Sequence, residues 1–350
     1  MAQQLRIGII GAGSNTRKMH LPGFQAIEGV EVVSVCNRTE ESSRAVAEAF
    51  SIPEVAYRWQ DVVNNSEVDA VCIGTWPYLH AEASIAALEQ GKHVLCEARM
   101  ARNLSEAKAM LRAAQDHPEC VAQVVPAPFS LDFDDKVAAI VADGTLGELR
   151  EVCVTHAHGA YADSSAPMTW RQDYLLSGCN ILSLGIYHET IQRWVSDRLD
   201  WVMADGEIFT RNRPDPENGE MQEVEIPDSI SVLGRYESGA RLVYHVSGVE
   251  TGRGRNRVCL NGSRACLRIE MKDRQLWLTE VGAADKEQPV SFEATPQNGW
   301  RVEEDFVESI REGKPVTRTS FEDGLRYMRF VERVWRSWTH QGKPFDGEGD

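Results

Sequence analysis

The sequence predicts an α/β chain in two domains: a doubly wound parallel sheet over residues 1–125, then an α+β domain with a mostly antiparallel open sheet over 126–350. Three observations carry this. Short apolar runs alternate with amphipathic stretches through the first third. A glycine-rich turn follows the first run directly. After about residue 125 the runs lengthen, alternate apolar with polar, and are punctuated by hairpin-type turns. At 350 residues the chain is long enough for two cores. Its apolar fraction of 42% and charged fraction of 26% are ordinary for a globular protein.

Each element has a local reason. Strands are expected at 5–10, 31–36, 69–73, 93–96 and 120–124, where apolar residues run together as in a sheet buried on both faces. The 80–90 stretch sets Ala81, Ser84, Ile85 and Leu88 on one helical face and stops at Gly91. Asn103, with Glu106 three residues on, is a capping pattern for a helix through Met110 and Ala114. Beyond Pro126-Ala127-Pro128 a helix is expected over 129–142. Strands follow at 149–158, 200–210, 229–236, 240–247, 257–260 and 265–270, and helices at 181–195, 300–312 and 321–338. Residues 211–219 and 282–298 read as loops, and the tail after Pro344 as frayed.

Charge and cysteine usage narrow the partners. A net charge of −16 disfavours nucleic acid and anionic membrane surfaces. No apolar stretch reaches the roughly 18 residues of a membrane span, and no secretory signal precedes the first run. Eight cysteines occur without a C-x-x-C pair, and Cys36, Cys72, Cys96 and Cys153 lie in strand-like runs. Reduced core thiols and a cytoplasmic location are therefore expected.

The first turn, Gly11-Ala12-Gly13-Ser14-Asn15-Thr16, lies between a strand and a helix, the context a Rossmann dinucleotide site needs. Gly11 permits the tight turn. Gly13 lets a pyrophosphate approach the backbone, with Ser14 and Asn15 opening the helix that holds it. The third glycine position is Thr16, so the fingerprint is incomplete. The second strand ends at Asn37-Arg38, where an acid would read an unphosphorylated ribose. An amide beside a guanidinium leans towards NADP. NAD stays open, since Asn37 can also bind a bare ribose and Arg38 can simply be solvated. Thr75, Trp76 and His80 follow the fourth strand, where further cofactor contacts are expected. Glu97 ends the fifth strand in "HVLCEARM" with Arg99 two residues on. An acid and a base placed there form either a surface ion pair or the edge of a binding crevice.

Five segments together resemble the Gfo/Idh/MocA oxidoreductases, relatives of glucose–fructose oxidoreductase and inositol dehydrogenase. They are "GIIGAGSNTRKMHLPGF" (8–24), "VDAVCIGTWPYLHAEASIAALEQGKHVLCEARM" (68–100), "DGTLGELREV" (143–152), "TWRQDYLLSGCNILSLGIYHETIQRWV" (169–195) and "FEDGLRYMRFVERVWRSW" (321–338). The resemblance implies a Rossmann domain, a second domain whose open sheet often mediates a homodimer or homotetramer, and NAD(P)-linked chemistry on a carbohydrate or polyol.

Departures from the family pattern are as informative. The family's Glu-Lys-Pro is here Glu97-Ala98-Arg99. Without the proline, a cis peptide costs about 2.5–4 kcal/mol, so a trans Ala98–Arg99 bond is expected. The family's Asp and His positions are matched by Ser183 and Tyr187. Asn180, Ser183 and Tyr187 would share one face of a single helix. Trp170, Arg171 and Asp173 match a segment lining the family's substrate side, although an Arg–Asp pair could equally fix a loop. His188 is a reserve acid–base candidate, with a packed core histidine the commoner outcome. His156 and His158 share a strand face but lack further ligands, so no metal site is expected.

The leading expectation is hydride transfer to or from a sugar, glycoside or cyclitol. Tyr187 serves as proton relay, Arg99 lowers its pKa or holds an oxyanion, and Glu97 orients Arg99 and touches the nicotinamide ribose. Arg99 cannot itself be a base. Redox-neutral cleavage, elimination or epimerisation with a retained cofactor is the alternative. A non-catalytic nucleotide-binding sensor ranks last.

Overall fold

The computed structural model of the protein describes residues 4–294 and 299–346. In chain order the first elements are β1 (Leu5–Ile10), α1 (Leu21–Ala26), β2 (Val30–Cys36), α2 (Glu40–Phe50), β3 (Glu54–Val55), α3 (Trp59–Asn64), β4 (Ala70–Ile73), α4 (His80–Glu89), β5 (His93–Cys96), α5 (Leu104–Asp116) and β6 (Ala122–Val124). There follow α6 (Asp134–Ala142), β7 (Leu149–Ala157), α7 (Tyr174–Ser177), α8 (Leu184–Trp194), β8 (Leu199–Glu207), β9 (Asn212–Pro214), β10 (Met221–Glu223), β11 (Ser229–Tyr236) and β12 (Arg241–Ser247). The last are β13 (Arg255–Gly262), β14 (Ala265–Glu270), β15 (Gln275–Glu280), β16 (Gln288–Val290), α9 (Val302–Glu312), α10 (Phe321–Thr339) and β17 (Phe345–Asp346).

The chain forms two compact units, residues 1–126 with 301–328, and 127–300 with 329–350. The first holds a six-stranded parallel sheet in the order β3-β2-β1-β4-β5-β6. All four residues of β4 are buried, as expected of a strand covered on both faces. Helix starts follow their sequence signals. Asn103 Oδ1 accepts the Glu106 N–H at 2.9 Å, and the Glu106 carboxylate reaches back to the Arg102 N–H at 3.0 Å. The second unit holds a nine-stranded sheet in the order β16-β15-β14-β13-β7-β12-β11-β8-β17, antiparallel except where β12 lies parallel to β7. Strict burial alternation along β11 marks a sheet with one covered face.

Several expectations need correction. Residues 301–328, expected in the second domain, pack in the first unit. Phe306 of α9 meets Phe24 edge-on at 6.4 Å, and Ser320 bridges to Gln123 of β6. An amphipathic pattern tells a helix to bury one face but not which sheet to cover. The helix expected from 129 starts at Asp134, because the Ser130 carbonyl takes the Phe133 and Asp134 N–H groups in a turn. The helix expected over 181–195 starts at Leu184, because Leu182 adopts a left-handed φ of 46° that breaks the helical path. Inside the expected loops lie β9, paired with β10, and β16, paired with β15. Residues 295–298 of the second loop lie outside the described residues. Of the tail, Phe345 and Asp346 pair with β8, and 347–350 lie outside the described residues.

Candidate functional site

In the first unit the strand order reverses at β1, with β2 on one side and β4 on the other. Open α/β sheets hold ligands beyond the strand ends at such a switch point. Two turns meet there. Gly11 has φ +84°, and a Cβ on it would lie 2.8 Å from the Thr75 nitrogen. A Cβ on Gly74 would lie 2.1 Å from Thr16 Oγ1 and 2.3 Å from the Gly11 carbonyl oxygen. Thr16, in the missing third-glycine position, is buried and donates to that same carbonyl at 3.2 Å. Its bulk fits because Gly74 faces it with none. Gly13 is exposed, and a Cβ there would meet only the Gly74 oxygen at an ordinary 3.5 Å. The Thr75 hydroxyl is buried without a hydrogen-bond partner among the described residues. An open glycine backbone beside an unclaimed hydroxyl fits a dinucleotide pyrophosphate.

At the end of β2, Asn37 Oδ1 accepts the Ala12 N–H at 2.6 Å and its amide nitrogen donates to the Ser42 carbonyl at 3.2 Å. Asn37 thereby ties the glycine turn to α2, while Arg38, like Ser14, is exposed. Trp76 stands at the surface, 36% exposed. His80 is fully buried, with Nδ1 2.8 Å from the Arg99 carbonyl and Nε2 3.0 Å from that of Thr75. It reaches the site only through the backbone it holds. Arg99 is buried too.

The Ala98–Arg99 peptide is cis, against the expected trans bond. Tertiary bonds hold both neighbouring groups: the Arg99 carbonyl faces His80, and the Met100 N–H donates to the Tyr327 hydroxyl. A residue-level preference contains none of these.

Glu97 is the centre of a cluster the sequence did not reveal. Its carboxylate accepts from the Asn15 amide and from the Ala98 N–H at 3.0 Å, and lies 3.1 Å from His20 Nε2. His20 Nδ1 in turn meets the Glu303 carboxylate. His20 is wholly buried and Glu303 nearly so. Burial pushes the His20 imidazole down, yet its bonds to Glu303 and Glu97 outweigh this and lift it to about 9. Burial likewise pushes the Glu97 carboxyl up, but His20 and Asn15 hold it below its ordinary value. A histidine raised in the folded state stabilises fully below its unfolded pKa of roughly 6.5, and that contribution fades as pH rises through about 9. The stability of the first unit should therefore fall by on the order of 3 kcal/mol between these limits. Urea midpoints from pH 6 to 10 measure this, and a His20→Gln chain should lose that slope. Glu303 lies 283 residues away and carries no sequence signal. His20 stands within the quoted segment 8–24 but shows no partner there.

The second unit gathers a different set. Tyr187 of α8 is fully buried and donates to Asn256 Oδ1 at 2.5 Å. Asn256 pairs across the ladder with His156, whose ring lies 4.8 Å from that of Tyr187. Phe129 stacks on Tyr187 at 5.1 Å, and His158 lies 5.1 Å from His156. His156 Nδ1 is buried without a hydrogen-bond partner among the described residues. Burial, aided by His158, depresses His156 to about 4, so it is neutral at physiological pH. Burial pushes the Tyr187 phenol up, only partly offset by Asn256, so it too is neutral. The result is a cluster of neutral donors and acceptors.

The remaining candidates are scattered. His188 packs in the core, stacked on Phe330 at 3.8 Å. Asn180 and Ser183 precede α8 rather than sharing its face with Tyr187, because of the Leu182 turn; the Asn180 amide donates to the Ser177 carbonyl. Asp173 caps α7 by accepting from Leu175 and Leu176 N–H, and Arg171 lies over the Trp170 ring at 4.2 Å. Among the described residues no three His, Cys, Asp or Glu side chains are grouped to hold a metal, and no helix is long and apolar enough to cross a membrane.

Comparison with known proteins gives two family matches: "Oxidoreductase family, NAD-binding Rossmann fold" over residues 5–124, and "GFO/IDH/MocA C-terminal domain" over 135–268. Glucose-fructose oxidoreductase domain-containing protein 2 of Xenopus laevis is 33% identical over 182 residues, 52% of this chain and 46% of its own. The chain thus spans about half the length of the curated relatives it matches. An oxidoreductase domain protein from Kribbella flavida superposes with a TM-score of 0.86 at 25% identity, covering 99% of this chain and 100% of that one. Levoglucosan dehydrogenase in complex with NADH and levoglucosan superposes with a TM-score of 0.86 at 22% identity, with the same coverage.

Proposed function

We propose that this chain, which belongs to the Gfo/Idh/MocA oxidoreductase family, transfers hydride between a nicotinamide cofactor and a secondary alcohol or ketone of a sugar, glycoside or cyclitol. The observation that carries it is the cradle at the β1/β4 switch point, where Gly11 and Gly74 let two turns pack closely and Gly13 leaves backbone exposed near the unclaimed Thr75 hydroxyl. A similar protein solved with NADH and levoglucosan supports the substrate class. Asn37-Arg38 in place of an acid supports NADP over NAD. The open face of the nine-stranded sheet supports a homodimer or homotetramer, and eight free cysteines support a reducing, cytoplasmic setting.

A bound nicotinamide supplies the site that gives or takes the hydride. The chain's own groups would do the rest. Tyr187 holds the proton at its phenol oxygen, oriented by Asn256, and passes it to the substrate oxygen. Glu97 anchors the cofactor's nicotinamide-side ribose. Arg99 supplies a charge that does not titrate. The family's lysine is matched here by Ala98, which has no proton to exchange, and this favours a second reading, redox-neutral cleavage or epimerisation with the cofactor retained.

Fluorescence titration with NADPH and NADH, then a screen of sugars, glycosides and cyclitols by product mass and nicotinamide absorbance together, separates the readings. Product with an absorbance change supports net oxidoreduction, and product without one supports the second reading. Cofactor binding with no product from any class would leave a sensor, and absent binding would overturn all three.

A further inference from the structure

His20 is a fully enclosed titratable group for which the hydride-transfer reading has no use. It sits between two carboxylates from distant parts of the first unit, Glu97 after β5 and Glu303 on α9. Room for the second carboxylate is made by Gly23 in α1: a Cβ there would lie 2.8 Å from Glu303 Cγ, Cδ and Oε2. Glycine is a poor helix former, so its place in α1 is explained by this approach rather than by propensity. The far side of Glu97 is held by Asn15, which opens the segment after the glycine turn. A chain of four side chains therefore runs from α9 to the nucleotide turn.

We propose that His20 is a positioning residue: held as an imidazolium by Glu303, it fixes the carboxylate of Glu97, and with it Asn15, in the orientation that receives the nicotinamide-side ribose. This rests on the cofactor reading above. Charge at the centre matters because an imidazolium donates from both nitrogens and satisfies both carboxylates, whereas a neutral ring donates from one only. The other titratable groups facing the cluster do not compete. The Cys72 thiol of β4 is pushed well up by burial and by both carboxylates. Burial also raises Cys96 of β5, and pushes His80 of α4 down, leaving all three neutral.

Two variants disturb the clamp without touching Glu97 or Asn15. Glu303→Gln removes the charge that holds the imidazolium. Gly23→Ala displaces the same carboxylate sterically, while alanine is the better helix former. Both should keep a folded far-UV spectrum and bind NADPH or NADH roughly tenfold more weakly at pH 8, about 1.4 kcal/mol. In both, the dissociation constant should rise with pH between 6 and 8, as His20 loses its proton, where the unaltered protein stays flat. Histidine C2–H resonances should show His20 protonated up to pH 8 in the unaltered protein. A His20 midpoint near 6.5 there overturns the proposal, as do variants that melt earlier but bind cofactor normally at every pH. Failure of the unaltered protein to bind either cofactor instead overturns the cofactor reading on which it rests.

Discussion

Replacing Gly74 by alanine should be among the most damaging single changes to this protein, abolishing cofactor binding and costing about 3 kcal/mol or more of stability. The added methyl would lie 2.1 Å from Thr16 Oγ1 and 2.3 Å from the Gly11 carbonyl oxygen. A threonine can turn, but the second contact is backbone, held in a turn whose φ of +84° already requires glycine. Thr16→Gly combined with Gly74→Ala should therefore recover only part of the loss. Gly13→Ala is the informative contrast. Its Cβ has ordinary room in the folded chain, so the urea midpoint should barely move while NADPH affinity falls tenfold or more. A Gly13→Ala chain that binds cofactor normally would remove the pyrophosphate from this turn. A Gly74→Ala chain of normal stability would mean that the two turns do not pack as described.

These glycines show how far the sequence could be read. Gly11 and Gly13 are legible because a local motif demands them between a strand and a helix. Gly74 is not, because its necessity comes from Thr16 in another turn, 58 positions away. The parallel sheet was legible from continuous apolar runs, and the second sheet from alternation, since both patterns are written in neighbouring residues. The return of 301–328 to the first unit was not. It depends on which surface Phe306 and Glu303 meet, and periodicity encodes only that α9 has a buried face. The stripe expected through Asn180, Ser183 and Tyr187 failed for a related reason: one left-handed residue, Leu182, decouples positions that ideal helical spacing would align. Glu97 was visible as an acid at a strand end. Its partners His20 and Glu303 became visible only when the chain was folded.

Loss of the Tyr187 hydroxyl should be the largest purely chemical defect. Tyr187→Phe keeps the ring packed between Phe129 and His156 but removes the proton the reaction is proposed to move, so turnover should fall by about 10²–10⁴-fold. Cofactor affinity should be unchanged. A stability loss of about 1–3 kcal/mol should accompany it, because Asn256 Oδ1 loses its donor. The environment also fixes a direction. Burial raises the Tyr187 phenol above its ordinary value, so it rests protonated, the form that can give a proton to a ketone oxygen but cannot take one from an alcohol. Reduction should therefore be nearly independent of pH from 6 to 9. Oxidation needs the phenolate, so its rate should climb through pH 10 without a plateau. His156, depressed to about 4, adds no ionisation inside that window. Two results would each remove the proton-relay role from Tyr187: an oxidation rate that levels off near pH 7, which would point to a group poised at neutrality, or wild-type turnover in the Phe variant.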